Sequence, residues 1–259
     1  MLKKVSKYQM DYVQNNCSWL PVQNRRSITG DRDALTQSLQ AIDPVKYCRT
    51  RNFLDGAVTY LSPYIRHGMI TLKQVMEHAL SCVDDAKKIE KFIQELGWRD
   101  YWQRLYYHYP DYIWTDVAAY KTGFLASDYA DQLPLDICDA TTPNACINYF
   151  IETLVGTGYL HNHARMYLAA YVVHWRRVKW QVGAKWMHHY LMDGDLGSNN
   201  LSWQWVASTF SHKPYIFNLD NVRKYATSDI NVSADSNPEL NFDYDTLSVR
   251  LFPNKVRMQ

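Results

Sequence analysis

The sequence predicts an all-α fold, and three observations carry that expectation. Apolar residues recur at spacings of three and four over 31–41, 71–82, 84–109, 142–156, 159–175 and 181–192. Long apolar–polar alternation is absent, which argues against an extensive sheet. The 259 residues contain no clean linker and no internal repeat. A chain of this length buries roughly 70–75% of its unfolded surface, so it needs no staple to hold a core. One domain over residues 1–259 follows.

Taken in order, the elements have local reasons. Thr71 is placed to cap the 71–82 helix, since its oxygen can accept a free amide of the first turn. Gly97 interrupts the 84–109 pattern at up to ~1 kcal/mol relative to alanine, a cost that a close approach or simple tolerance can explain. Residues 110–142 carry Pro110 and Pro134 among Asp, Tyr and Thr, and read as loop with short helical pieces. DGDLGSNNLS, 193–202, reads as a tight loop, because Gly, Asp, Asn and Ser all favour turns. From about 211 the pattern fades into an irregular tail, 210–259, expected to pack on the core.

Composition excludes several classes. Cys17, Cys48, Cys82, Cys138 and Cys146 are odd in number and form no C-x-x-C pair, against a disulfide framework or a zinc site. The opening MLKKVSKYQMDYVQ has no apolar core of a signal peptide, and no run reaches the ~20 apolar residues of a membrane span. A cytoplasmic protein without a membrane partner is expected. A net charge of +2 does not by itself predict nucleic-acid binding. Arg25 with Arg26, and Arg176, Arg177, Lys179 and Lys185, are two clusters, each able to form a local basic face or simply a solvated one. The 9 Trp and 20 Tyr suit either an aromatic core or stacking platforms and a redox chain.

Four stretches carry candidate chemistry. In YCRTRNFLDGAVTYLS, Thr59 and Ser62 offer hydroxyls to a phosphate, or act as caps. In FIQELGWRDYW, Glu95, Trp98 and Trp102 share one helix face, as a pocket wall or as a core pair with a rim carboxylate. In TGYLHNHARM, Asn162, Arg165 and Met166 share a face suited to a flat polar ring, whereas His161 and His163 stand two apart and cannot share a metal from a helix. In MDGDLGSNNLSWQWVAS, Asp193 and Asp195 lack a third carboxylate for a divalent metal. Trp203 and Trp205 would point about 200° apart on a helix and so serve different cavities. No metal site is predicted.

Together these stretches resemble the flavin-binding helical domain of the DNA photolyase/cryptochrome family. YLSPYIRHGMIT is similar to its flavin-phosphate segment, ELGWRDYW to its Glu–Trp–Arg helix, and TGYLHNHARM to its T-G-W-M-H-N-R-x-R-M pattern with three changes. DGDLGSNNLSWQWVAS is similar to its most specific signature. The resemblance runs from about Tyr47 to Thr209.

It implies FAD as cofactor and light-driven repair of cyclobutane pyrimidine dimers by electron transfer from excited reduced flavin. Tyr47, Thr59, Leu61 and Ser62 would hold the diphosphate. Arg99, Asn162, Arg165, Asp193, Asp195, Asn199 and Trp203 would contact the flavin, with Asn199 facing ring nitrogen N5. Glu95, Trp98, Asn162, Met166 and Trp205 would grip a flipped dimer. Trp203, Trp180 and then Tyr120, toward the surface, would pass electrons. About 46 residues precede Tyr47, too few for the family's antenna domain. His163 stands where an arginine normally helps bind DNA, and Tyr159 where a tryptophan is usual. Damaged DNA is the expected partner, the single strand in preference to the duplex. The alternative is a cryptochrome-like photoreceptor acting through a protein partner.

Overall fold

The computed structural model describes residue 28 and residues 30–256. Cys17, Arg25, Arg26 and the opening segment lie outside the described residues. The chain is helical: α1 Arg32–Gln40, α2 Pro44–Thr50, α3 Ser62–Arg66, α4 Leu72–Ser81, α5 Glu90–His108, α6 Ala145–Thr157, α7 Asn162–Ala170, α8 Trp180–Tyr190, α9 Leu196–Ala207, α10 Leu219–Tyr225 and α11 Tyr244–Leu251. Among the described residues, extended pairing is limited to one isolated bridge, Ala130 with Val178.

The predicted cap at Thr71 is present and reciprocal. Its hydroxyl accepts from the Gln74 amide at 3.2 Å, and the Gln74 side chain accepts from the Thr71 amide at 2.9 Å. α6 ends on Gly158, whose φ of 67° is left-handed. A Cβ there would lie 2.8 Å from Met192 Cγ, so space as well as φ requires glycine.

Two expectations need correction. DGDLGSNNLS is not a loop throughout, because α9 begins at Leu196. Asp195 caps it by accepting from the Ser198 amide at 2.7 Å. Gly197 lies against α5, where a Cβ would stand 3.1 Å from Trp102 O and from Gln103 Nε2. The residues that resemble helix breakers are thus a cap and a close contact. The tail is not irregular throughout either. Asn218 caps α10 and Asp243 caps α11, each side chain accepting the amide three residues on. Glu239 pins the tail, since its carboxylate accepts from Asn144 Nδ2 and from the Tyr171 hydroxyl, each at 2.6 Å.

Two main apolar clusters result. One joins α6 to α10 around Tyr167, Tyr171, Trp180 and Phe217, and the other joins α1, α2, α4 and α5 around Leu61, Ile89 and Phe92. A segment from the second side docks on the loop before α9. Arg66 Nε donates to Gly194 O at 2.5 Å, and His67 Nε2 lies 3.1 Å from Met192 O.

Burial also sets a pH response. His174 is fully buried beside Val206 O, and His161 is buried at the N-cap of α7. Burial is the main cause pushing both rings down to about 4. An unfolded imidazole titrates near ~6.5. Their contribution is therefore intact above about 6.5 and is lost as pH falls toward 4. Each ring costs on the order of 2 kcal/mol by about pH 5. Thermal unfolding at pH 7 and pH 5 should show a lower midpoint at pH 5, whereas equal midpoints would contradict this reading.

Candidate flavin site

The site grows from one ion pair. Arg165 on α7 is held by its Nε donating to Leu160 O at 2.7 Å. One of its terminal nitrogens donates to both oxygens of Asp193, at 3.0 and 2.8 Å. Asp193 is only 5% exposed. Burial works against its charge, but Arg165, with Ser62 and Arg99, holds its carboxyl below the usual range. Ser62, at the start of α3, is thus tied to the flavin-ring set.

Arg99 on α5 points its charge at the same place. Burial lowers its pKa, opposed by Asp195 and Asp193. Among the described residues no carboxylate comes within ion-pair distance of it. Asp195 is occupied by the α9 cap and by Gln103 Nε2, which donates to it at 2.5 Å. Asn199 lies one turn along α9, its Nδ2 donating to Ala184 O at 3.0 Å. Ser198 Oγ is buried there without a hydrogen-bond partner.

An aromatic wall adjoins this cluster. Tyr60 has a left-handed φ of 52°, uncommon for a bulky residue. Its ring is 5.2 Å from that of Tyr159, and the Arg165 guanidinium lies 5.5 Å over Tyr159. Tyr47, on α2, packs edge-on against Phe92 at 4.9 Å. Thr59 Oγ1 accepts from the Leu61 amide at 3.3 Å, and the Leu61 side chain is buried in the second core. Tyr60 was missed from sequence, since nothing in its residue type signals a left-handed backbone.

The predicted dimer-contact residues fall into three places. Trp98 is 51% exposed and stacks on Trp102 at 5.7 Å, and Trp102 meets Phe210 edge-on. Trp205 is 40% exposed and packs on Tyr215, while Trp203 is buried. The opposed directions of Trp203 and Trp205 are thus as the helical spacing requires. Asn162 is exposed, with Nδ2 4.0 Å from Met166 Sδ. Glu95 is paired with Arg51 at 3.3 Å and Lys91 at 3.0 Å.

The placements of Tyr120 and of the basic cluster differ from what was expected. Tyr120 does not lie toward the surface: it is 9% exposed and stacks on Tyr129 at 4.3 Å, because the loop after Trp114 turns inward. His163 offers little to a phosphate. Its ring packs on Tyr167 and Tyr225, Nδ1 lies 2.8 Å from Asn52 O, and burial lowers its pKa. Three of the four basic residues between 176 and 185 are engaged within the chain. Arg176 pairs with Asp136, Arg177 bonds Leu251 O and covers the Phe124 ring, and Lys179 pairs with Asp131.

A family model described as the FAD binding domain of DNA photolyase matches residues 92–236. Among curated relatives, a deoxyribodipyrimidine photo-lyase of Synechococcus is 31% identical over 172 residues, 63% of this chain and 35% of that protein. A cryptochrome DASH of Idiomarina loihiensis is 27% identical over 190 residues, 69% of this chain and 41% of that protein. The chain thus spans about a third to two fifths of these relatives. A class III photolyase structure from Agrobacterium tumefaciens aligns at a TM-score of 0.70 and 19% identity, covering 98% of this chain and 61% of that one.

The residues fit FAD. Among the described residues Arg99 is a desolvated cation with no ion-pair partner and Ser198 Oγ is a buried polar atom without a hydrogen bond; Asp195 and Asp193 lie near Arg99, and Asp195 and Asn199 flank Ser198. A ring with mixed donors and acceptors attached to a diphosphate needs such a set. The family match covers more than half of the chain, and by it the protein belongs to the photolyase/cryptochrome family as an FAD-binding helical domain.

Proposed function

We propose that this protein repairs cyclobutane pyrimidine dimers in light. The observation that carries the reading is the pair of half-exposed indoles, Trp98 and Trp205, on the two helices that also supply Arg99, Asp195 and Asn199. FAD, when bound, supplies light absorption and one-electron exchange, and the chain supplies position and electrostatics. Arg165, Asp193 and Arg99 orient the ring, with Tyr47, Thr59 and Ser62 on the diphosphate side. Trp98 and Trp205 receive the two linked bases of the dimer, with Glu95, Asn162 and Met166 as polar and thioether contacts. Trp203 and then Trp180 connect the ring to the interior of α8.

Extruding a damaged step costs a few kcal/mol, less than for an intact one. Stacking on an aromatic residue returns ~1–3 kcal/mol per base. Trp98→Ala should therefore weaken binding of a dimer-containing oligonucleotide by about 5- to 150-fold. The flavin spectrum should stay unchanged, because Trp98 is exposed and outside the Arg165–Asp193 cluster. Fluorescence titration of both proteins reads this. Equal affinities would remove Trp98 from the lesion site.

Binding to damaged single strands should exceed binding to duplex. His163 packs inward, and Arg176, Arg177 and Lys179 are engaged within the chain, so these residues offer less to flanking phosphates. The same observation favours a second reading, a photoreceptor that keeps FAD and acts through a protein partner. A steep salt dependence with equal affinity for both substrates would contradict the first expectation.

A further inference from the structure

We infer that Asp116 is the proton acceptor for Trp180, and that this hydrogen bond ends the electron path at Trp180. The inference rests on the proposed path through Trp203 and Trp180. Trp180 is fully buried, and its indole Nε1 donates to Asp116 Oδ1 at 2.6 Å. That is a short charge-assisted bond. Among the described residues it is the one indole N–H that meets a carboxylate. Trp175 Nε1, by comparison, donates to a main-chain carbonyl, Glu239 O, which cannot take a proton.

The carboxylate is held in place from two sides. Gln181 Nε2 donates to the same oxygen at 3.1 Å and to Trp114 O at 3.3 Å. Gln204, fully buried between Trp203 and Trp205, ties down the loop that carries Asp116. Its Nε2 donates to Thr115 O at 2.9 Å, and its Oε1 accepts from the Val117 amide at 3.1 Å. Trp203 packs against Gly183, where any Cβ would collide with the indole, and Gly183 is three residues along α8 from Trp180. One helix thus presents both indoles, and one loop presents the base. Asp116 is partly exposed, which opens a way for the proton to solvent.

The step balances as follows. One electron passes from Trp203 to a light-excited oxidised isoalloxazine ring, the oxidant, which is reduced by one electron. One electron then passes from Trp180 to Trp203 and restores it. The Nε1–H bond of Trp180 breaks heterolytically, and its proton forms an O–H bond with Asp116 Oδ1. The products at this pair are a neutral indolyl radical and a neutral carboxylic acid. Return of the electron then requires return of the proton, which slows recombination. Tyr120 is not the next station. Its buried hydroxyl is not hydrogen-bonded to a carboxylate, Asp116 acting on it only through space, and its ring stacks on another phenol, Tyr129. The Asp116 oxygen is already bonded to the Trp180 indole N–H, so Trp180 is the donor placed to give up its proton there.

The test uses the full chain loaded with oxidised FAD. After a blue pulse, transient absorption should show a neutral tryptophanyl radical whose formation slows in D2O. Asp116→Asn should leave a radical cation, with loss of the solvent isotope effect, and Asp116→Glu should restore the neutral species. Tyr120→Phe should change nothing. In the dark, the Trp180 indole N–H resonance, assigned through Trp180→Phe, should lie downfield and move upfield in Asp116→Asn. A neutral radical formed at the wild-type rate in Asp116→Asn, or an unmoved indole resonance, would overturn the inference alone. No tryptophan radical in the wild-type protein would overturn the path through Trp203 and Trp180, and the inference with it.

Discussion

Asp193→Asn is expected to yield protein that binds little FAD and unfolds far more readily than the wild type. Removing one charge of a buried pair leaves the other uncompensated and costs ~3–5 kcal/mol. Here the orphan is Arg165, and Arg99 and Arg66 add positive charge nearby. The same pair predicts an acid limb. The folded carboxyl titrates below its ordinary value, mainly because Arg165 outweighs the cost of burial. Its contribution is thus full above the unfolded value of about 3.9 and is lost as pH falls through the lower folded value. Flavin absorbance per protein, with thermal unfolding of the same samples, measures both effects. Wild-type flavin content and stability in Asp193→Asn would remove the pair from the site.

Trp203→Phe should stop photoreduction of oxidised FAD, while Trp205→Phe should leave it intact. The contrast follows from one helix. Trp203 is 2% exposed and packed on Gly183, whereas Trp205, two residues on, is 40% exposed and packed on Tyr215. The smaller ring leaves a void beside Gly183, so some loss of stability should accompany the change. Blue-light bleaching of the flavin band under anaerobic reducing conditions separates the two roles. Continued bleaching in Trp203→Phe at the wild-type rate would place the donor elsewhere among the aromatic residues.

Sequence was informative where a residue type has one physical use. Thr71 reads as a cap because a threonine before an apolar run has that use, and the structure adds Gln74 as its reciprocal partner. The 200° separation of Trp203 and Trp205 needed only helical geometry. The Arg165–Asp193 pair joins residues from two motifs that the family resemblance had already set side by side. Where one residue type has several uses, sequence misled. Gly197, Ser198 and Asn199 read as breakers until Asp195 was seen to cap them and α5 to press on Gly197. The tail read as irregular because α10 and α11 are only seven and eight residues long and take their stability from capping and from burying Leu219, Val222, Leu247 and Leu251. Tyr120 was placed toward the surface by its position in the resemblance, when burial puts it inside. Asp116 was passed over because its partner, Trp180, is 64 residues away.

Light-dependent loss of dimers is the most direct measure of the whole account. A single-stranded oligonucleotide carrying one cyclobutane thymine dimer is incubated with the FAD-loaded, reduced protein, in blue or near-ultraviolet light and in darkness. Repair in light and none in darkness, abolished together with flavin binding in Asp193→Asn, is the predicted result. Dimers that persist in light, on single strands and on duplex alike, with flavin bound and reduced, would contradict it.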